Sequence, residues 1–206
     1  MYAFEYQRAK SVADAAAALS KSGGKALAGG QSLVGAMKLR LANPGTVVDL
    51  SGIGELKGIK KEGDAIVIGA MTTHAEVASS SAVKQAIPAL AALAEGIGDR
   101  QVRNRGTLGG SLANNDPAAD YPAAVLALNA TVLTNKRKIA ADDFFKGMYE
   151  TALGADERGP RCSGFCGRQI HGHAGDAASS LGCNAGREAI ARALESGRTD
   201  MNRRGH

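Results

Sequence analysis

KALAGGQSLVGAMKLRLANPGTVVDL, residues 25–50, places a glycine pair between a short strand and an amphipathic helix, and a second strand follows at once. Residues 25–28 predict the first strand, the apolar stripe of residues 33–41 predicts the helix, and residues 46–50 predict a buried strand. Two strands joined through a helix over so short a stretch indicate a compact parallel β-α-β unit.

On either side of this unit, residues 1–157 alternate between helix and strand patterns. A helix is predicted over residues 11–22, with Ser11 as its cap, and a β-hairpin over residues 56–69. Further helices are predicted as a short one opened by the capping box of Thr73 and Glu76, a longer one over residues 81–95 with a bend or restart at Pro88, and one over residues 122–128. Residues 98–121 form the least regular stretch, residues 130–134 are predicted as a strand, and Lys136-Arg137-Lys138 is predicted as a hairpin tip.

Composition excludes several protein classes. The chain has 206 residues, of which 44% are apolar, and it contains no apolar run long enough for a membrane span. Charged residues within the first twenty positions argue against a signal peptide, so we expect a cytoplasmic protein. Three cysteines do not make a disulfide scaffold.

The net charge of +5 is distributed unevenly. Residues 158–206 contain eight Arg against four acidic residues, together with all three Cys, and have few large apolar side chains; only residues 188–196 predict a short helix. This tail is either a natural basic extension, which would suit nucleic acid, or the product of a reading-frame change in a GC-rich gene. Its Cys and His residues could also bind zinc, although their spacing matches no strong zinc pattern. These residues are Cys162, Cys166, His171, His173 and Cys183.

Two glycine-rich segments are the candidate binding loops. The first, residues 28–32, joins a predicted strand to a predicted helix, where backbone N–H groups suit a phosphate; a plain strand-to-helix turn is the alternative. The second, residues 106–120, has the pair Gly109-Gly110 beside hydroxyl residues, with Asp120 placed to meet sugar hydroxyls. Together the loops indicate a dinucleotide held from both sides, against the alternative of two independent turns and a solvated Asn/Asp cluster.

Several motifs in order resemble the FAD-binding medium subunit of molybdenum hydroxylases, the carbon monoxide dehydrogenase and xanthine dehydrogenase family. They are the N-terminal MYAFEY, AGGQSL at residues 28–33, IGAMTTH at residues 68–74 and QVRNRGTLGGSLA at residues 101–113. The resemblance covers about residues 1–157 and stops at Arg158. It implies an α+β fold of the PCMH type, in which two α/β subdomains hold FAD in the cleft between them, with an incomplete or irregular C-terminal part. We expect the subdomains at residues 1–53 and 54–157.

The resemblance also implies a role and a set of contacts. The subunit would pass electrons from the [2Fe–2S] clusters of a small partner subunit to an external acceptor, while a large partner subunit oxidises substrate at a molybdenum cofactor. A truncated relative without activity is the alternative. The FAD contacts implied are Ala28, Gly29, Gly30, Gln31, Ser32, Leu33, Thr72, Thr107, Gly109, Gly110, Ser111, Asn114 and Asp120.

The remaining polar residues of residues 1–157 predict no catalytic group and no metal site. His74 is interpreted as a packed or surface histidine rather than a base. Arg100, Arg103 and Arg105 would either screen the FAD phosphates, pair with nearby aspartates, or form a solvated basic face.

Overall fold

The computed structural model describes residues 1–63 and 65–154, together with the backbone of residues 165–166. Its N-terminal part is a three-stranded parallel sheet in the order β1-β3-β2, which confirms the predicted parallel unit. The elements of this part are β1 Glu5–Arg8, α1 Val12–Ser22, β2 Lys25–Leu27, α2 Leu33–Lys38 and β3 Thr46–Asp49.

Local signals at the two ends of α1 explain its bounds. The hydroxyl of Ser11 accepts a hydrogen bond from the N–H of Asp14 at 3.1 Å, as the predicted cap requires. The helix ends at Gly23, which has a φ of 62° and donates its N–H to the carbonyl of Leu19. The helix packs beside β3, the central strand, whose four residues are all buried.

The helix α2 is shorter than the sequence pattern predicts. It ends at Lys38, because Leu39 and then Arg40, with a φ of 60°, turn the chain away. Leu39 and Leu41 are consequently 73% and 79% exposed, so their assignment to an apolar helical stripe is wrong.

The second part begins with an antiparallel hairpin, continues through helices and closes with short antiparallel strand pairs. A 3-10 turn at Gly54–Leu56 precedes it. Its elements are β4 Ile59–Glu62, β5 Ala65–Ile68, α3 His74–Ser79, α4 Ser81–Ala86, α5 Pro88–Gly96, α6 Arg100–Arg103, α7 Leu108–Asn114, α8 Asp120–Ala127, β6 Thr131–Leu133, β7 Lys138–Ala140, α9 Ala141–Phe144, β8 Phe145–Gly147, β9 Glu150–Thr151 and β10 Phe165–Cys166.

Several predictions for this part are confirmed. Thr73 and Glu76 form the predicted capping box at the start of α3. Pro88 starts a new helix, so the predicted break separates α4 from α5. The Lys136-Arg137-Lys138 segment lies where the antiparallel strands β6 and β7 connect, as a hairpin tip does.

The expectation of irregular backbone over residues 98–121 is wrong. This stretch contains α6 and α7, each begun by a side-chain cap. Asp99 accepts the N–H of Val102 at 2.8 Å, and the hydroxyl of Thr107 accepts the N–H of Gly110 at 3.2 Å. These caps satisfy backbone groups at the starts of helices that are too short to show a hydrophobic period.

The described residues form two hydrophobic cores. The smaller core joins α1 to β3 and also takes in Leu56 and Met71. The larger core is built on β5, α3 to α5, α7, α8 and the strands around Phe144. Two cores suit two subdomains, and Leu56 and Met71 show that the N-terminal core draws on residues beyond position 53. The boundaries 1–53 and 54–157 stay a prediction.

The predictions made for residues 158–206, namely the basic tail, the zinc ligands and the short helix, lie outside the described residues apart from the backbone of β10. That strand pairs antiparallel with β6. In the part of the chain that the structure describes, no helix has the length and apolar character needed to cross a membrane.

Candidate functional site

The two glycine loops lie against each other. A Cβ built on Gly29 would lie 2.0 Å from the carbonyl oxygen of Arg105 and 2.8 Å from the Cα of Gly106. A Cβ built on Gly110 would lie 3.4 Å from the Cβ of Ala28. Segments that are more than seventy residues apart in the sequence are therefore in backbone contact, and they form one site.

The first glycine loop, residues 28–32, presents backbone donors. The N–H groups of residues 29–33 donate to no protein acceptor among the residues that the structure describes. Gly30 has a φ of 79° and accepts the N–H of Val34 at 3.0 Å, which turns the chain from β2 into α2. Gln31 and Ser32 are exposed. A short row of unpaired N–H groups on an accessible loop suits the oxygens of a phosphate or pyrophosphate.

The start of the second glycine loop, residues 106–111, is anchored more tightly. Leu108 donates its N–H to the carbonyl of Thr72 at 3.0 Å, and Gly109 donates to that of Ala70 at 2.9 Å. A Cβ on Gly109 would lie 2.5 Å from the Cβ of Ala70. The resemblance implies Gly109 as an FAD contact. In the structure its N–H is already used by the protein, and its lack of a side chain allows the close approach to Ala70.

Among residues 106–111, Gly110 and Ser111 are half-buried and the other four are buried. The N–H of Gly110 makes only the long cap hydrogen bond to Thr107. Gly110 also faces Ala28 of the first loop. These two residues are therefore better placed than Gly109 to face a ligand between the loops.

Thr72, another predicted contact, is fully buried. Its hydroxyl accepts the N–H of Gly58 and donates to the carbonyl of the same residue, both at 3.0 Å. Both functions of the hydroxyl are satisfied by the protein. The structure thus gives the Thr72 side chain a structural role next to β4.

The other predicted contacts border the loops on the sides. Leu33 is the half-buried first residue of α2, and Asn114 is the half-buried last residue of α7. Asp120 is exposed at the start of α8. Of the three arginines, Arg103 donates to the carbonyl oxygens of Ile97 and Gly98, at 3.1 and 2.7 Å, so its guanidinium supports the preceding turn.

Asn115 is a structural residue of the site that sequence reasoning missed. It is buried, ends α7 with a φ of 43°, and donates its Nδ2 to the carbonyls of Gly147 and Glu150 at 2.7 and 2.9 Å. Its own carbonyl accepts the N–H of Tyr149 at 3.0 Å. The available signal was an Asn directly after a predicted ligand loop, because Asn tolerates the left-handed conformation of a helix end.

His74 packs beneath the second glycine loop. It is 5% exposed, its backbone N–H donates to the carbonyl of Gly106, and its ring lies 5.2 Å from that of Tyr121. Burial lowers the pKa of His74 to about 4. Burial, reinforced by the negative charge of Asp120, raises the pKa of Tyr121. Both side chains are therefore neutral near pH 7, which confirms the interpretation of His74 as a packed histidine.

Comparison with known families identifies the domain. Residues 2–157 match the family model described as the FAD binding domain in molybdopterin dehydrogenase. The chain belongs to this family. The α+β fold and the resemblance to medium subunits of molybdenum hydroxylases are thereby confirmed, and FAD is the cofactor of the domain.

Individual relatives of this FAD-binding domain agree. The chain is 45% identical over 160 residues to the carbon monoxide dehydrogenase medium chain of Hydrogenophaga pseudoflava. It is 44% identical to the nicotine 6-hydroxylase medium subunit of Paenarthrobacter nicotinovorans. Each match covers 75% of this chain and 56% of the relative, so the chain spans about half the length of the curated relatives it matches.

A solved structure shows the same FAD-binding fold. The carbon monoxide dehydrogenase of Hydrogenophaga pseudoflava, solved without the Mo-pyranopterin moiety of its molybdenum cofactor, superposes with a TM-score of 0.74 at 45% identity. The match covers 75% of this chain and 56% of that one. The residues present fit the cofactor, because unpaired N–H groups on one glycine loop lie beside a second glycine loop.

Proposed function

We propose that this chain is the FAD-binding electron-transfer component of a molybdenum-containing hydroxylase or dehydrogenase. When bound, FAD supplies a redox centre that takes up electrons from a partner subunit and delivers them to an external acceptor. The contact between the two glycine loops, Gly29 against Arg105 and Gly110 facing Ala28, is the observation that carries the proposal. It is the arrangement that a dinucleotide clasped from both sides requires.

The predicted residues other than Thr72 then have a defined task. The N–H groups of Gly29, Gly30, Gln31, Ser32 and Leu33 would hold the pyrophosphate. Gly110 and Ser111 would close the opposite side, where the absence of a side chain at Gly110 leaves room. Asp120 is exposed and would accept hydrogen bonds from the hydroxyl groups of the flavin side chain. Ala28 faces Gly110 of the opposite loop, Thr107 caps the helix that contains Gly110, and Gly109 packs against Ala70. Asn114 borders the site.

The proposed function includes partner subunits that hold the other redox centres. Among residues 1–63 and 65–154, no cluster of three or more His, Cys, Asp or Glu side chains could hold a metal ion. We propose that electrons reach the flavin from the [2Fe–2S] clusters of a small subunit. A large subunit with a molybdenum cofactor would oxidise the substrate, and an external acceptor in the cytoplasm would receive the electrons.

FAD binding is tested on the full chain. Purified protein is titrated with FAD, and retention of the flavin absorbance after gel filtration is measured. We expect the unaltered chain to retain FAD and Gly110→Asp to lose it, because the new carboxylate would lie where the phosphates bind. Gly54→Asp is the matched control, since a Cβ on Gly54 meets no atom within 4 Å. A folded chain that stays colourless with excess FAD contradicts the proposal.

Electron transfer is tested in the assembled complex. The chain is co-purified with its iron–sulfur and molybdenum subunits, and substrate is added. We expect the Gly110→Asp complex to reduce its iron–sulfur clusters normally while reduction of the external acceptor is lost. Equal acceptor reduction in the unaltered and Gly110→Asp complexes would show that electrons bypass the flavin.

A further inference from the structure

The turn that connects β8 to β9 presents two large apolar side chains to solvent. Met148 is 77% exposed and Tyr149 is 62% exposed. Tyr149 also has a φ of 57°, in the left-handed region that bulky side chains rarely adopt. A strained backbone that displays an aromatic ring needs a local cause, and such outliers concentrate at binding sites.

The local cause is Asn115. Its side chain and its carbonyl make three hydrogen bonds to the turn, with Gly147, Glu150 and Tyr149, at 2.7, 2.9 and 3.0 Å. Asn115 itself is only 9% exposed, so water competes little for these hydrogen bonds. The backbone of the turn is therefore held in one conformation, which fixes the positions from which its two exposed side chains project.

The hydrogen bonds of Asn115 connect this turn to the helix that contains the second glycine pair. Asn115 directly follows α7, and α7 is the seven-residue helix that contains Gly109, Gly110 and Ser111. At the usual rise per residue, the helix is about 10 Å long. The turn is thus attached one short helix away from Gly110. A dinucleotide has an aromatic ring system on each side of its pyrophosphate, so a ring of FAD held at Gly110 can reach this distance.

We propose that Met148 and Tyr149 form a preformed wall of the FAD site that packs against one of the two ring systems of the cofactor. The inference rests on the proposed function. Tyrosine stacks on flat aromatic rings, and the thioether of methionine makes favourable contacts with them. Burial of both side chains against a ring explains why they are displayed on a rigid turn.

The test separates FAD binding from folding. Met148→Ser and Tyr149→Asn are made singly and together, because Asn tolerates the left-handed backbone at residue 149. Tyr2→Asn, at another exposed tyrosine, is the control, and Tyr149→Phe keeps the ring. The dissociation constant for FAD, the fluorescence of the bound flavin and the melting temperature of the FAD-free protein are measured for each.

We expect the double variant to bind FAD on the order of tenfold more weakly, with brighter flavin fluorescence and an unchanged or higher melting temperature. Tyr149→Phe and Tyr2→Asn should bind FAD like the unaltered chain. Failure of the unaltered chain to bind FAD would overturn the proposed function, and this inference with it. Equal FAD affinity of the unaltered chain and the double variant would overturn the inference and leave the proposed function standing. A double variant that binds FAD normally but no longer binds a partner subunit would overturn the inference as well.

Discussion

Gly29 contacts the backbone of Arg105 so closely that a Cβ at residue 29 would lie 2.0 Å from the Arg105 carbonyl oxygen. This contact joins the first glycine loop, which follows β2, to the segment that leads into α7. Glycine is needed here for the approach of one backbone to another, before any ligand is considered. The site therefore exists as a feature of the fold.

Replacing Gly29 by Ala should separate the two loops. We expect the free energy of unfolding to fall by about 1–3 kcal/mol, the usual cost of forcing an extra methyl group into a packed contact. FAD affinity should fall as well, because both loops are needed to hold the cofactor. Chemical denaturation and FAD titration of the variant measure the two effects.

Gly35→Ala is the matched control for that experiment. Gly35 lies within α2, and a Cβ at this position meets no atom within 4 Å. The substitution should leave stability unchanged or raise it by up to about 1 kcal/mol, because Ala favours helix more than Gly. If both variants lost stability equally, the close approach at Gly29 would not be the cause.

Local signals in the sequence were sufficient for much of the fold. Ser11 with Asp14, Thr73 with Glu76, and Pro88 each determine a helix start through atoms only a few residues away, and all three were predicted correctly. The end of α2 was not predicted, because the apolar residues Leu39 and Leu41 continue the helical pattern after Arg40 has turned the backbone. The periodicity of apolar residues shows only which positions are hydrophobic, whereas the left-handed conformation of Arg40 determines where the helix ends.

The site was less accessible to sequence reasoning, because its contacts are long-range. Sequence motifs identified both glycine loops. No local pattern, however, shows that Gly109 donates its N–H to the carbonyl of Ala70 or that the Thr72 hydroxyl forms hydrogen bonds with Gly58. Asn115 escaped notice for the same reason, since its partners lie more than thirty residues further along the chain. Hydrogen bonds of this kind become visible only when the tertiary structure is known.

Substitution of Thr72 tests whether its hydroxyl stabilises the fold or contacts FAD. Thr72→Val removes the hydroxyl that pairs with Gly58 and leaves both backbone groups without it. We expect a loss of about 1–3 kcal/mol of stability, with FAD affinity of the folded protein within about twofold of the original value. Thr72→Ser should restore stability. A loss of FAD affinity without a loss of stability would instead assign the hydroxyl to the cofactor.

The end of α2 can be tested by two alanine substitutions. Met37 is 3% exposed, whereas Leu39 is 73% exposed. Met37→Ala should cost about 2–5 kcal/mol, because it opens a cavity. Leu39→Ala should change stability by less than about 0.5 kcal/mol, as expected for a surface position. Equal losses at both positions, measured by denaturant unfolding, would indicate that the apolar stripe of α2 continues to Leu39.

His74 makes stability depend on pH in a predictable direction. Its pKa in the folded protein is about 4, below its ordinary value of 6.5, because burial beneath Gly106 and against Tyr121 disfavours the charged form. Between these two pH values the unfolded chain binds more protons than the folded chain. Stability should therefore fall as the pH is lowered from 6.5 to 4, by on the order of 3 kcal/mol from this residue.

The His74→Leu variant isolates this contribution. Nδ1 of His74 has no hydrogen-bond partner among the described residues, so the substitution removes a titrating group without breaking a side-chain hydrogen bond. The free energy of unfolding is measured from pH 4 to 7.5 for both proteins, and the difference between the curves is plotted. Other groups cancel in this difference, Asp49 among them, whose pKa is also shifted. We expect the variant to gain stability relative to the unaltered chain steadily as the pH falls below 6.5, whereas parallel curves would show that the pKa of His74 is the same in the folded and unfolded chains.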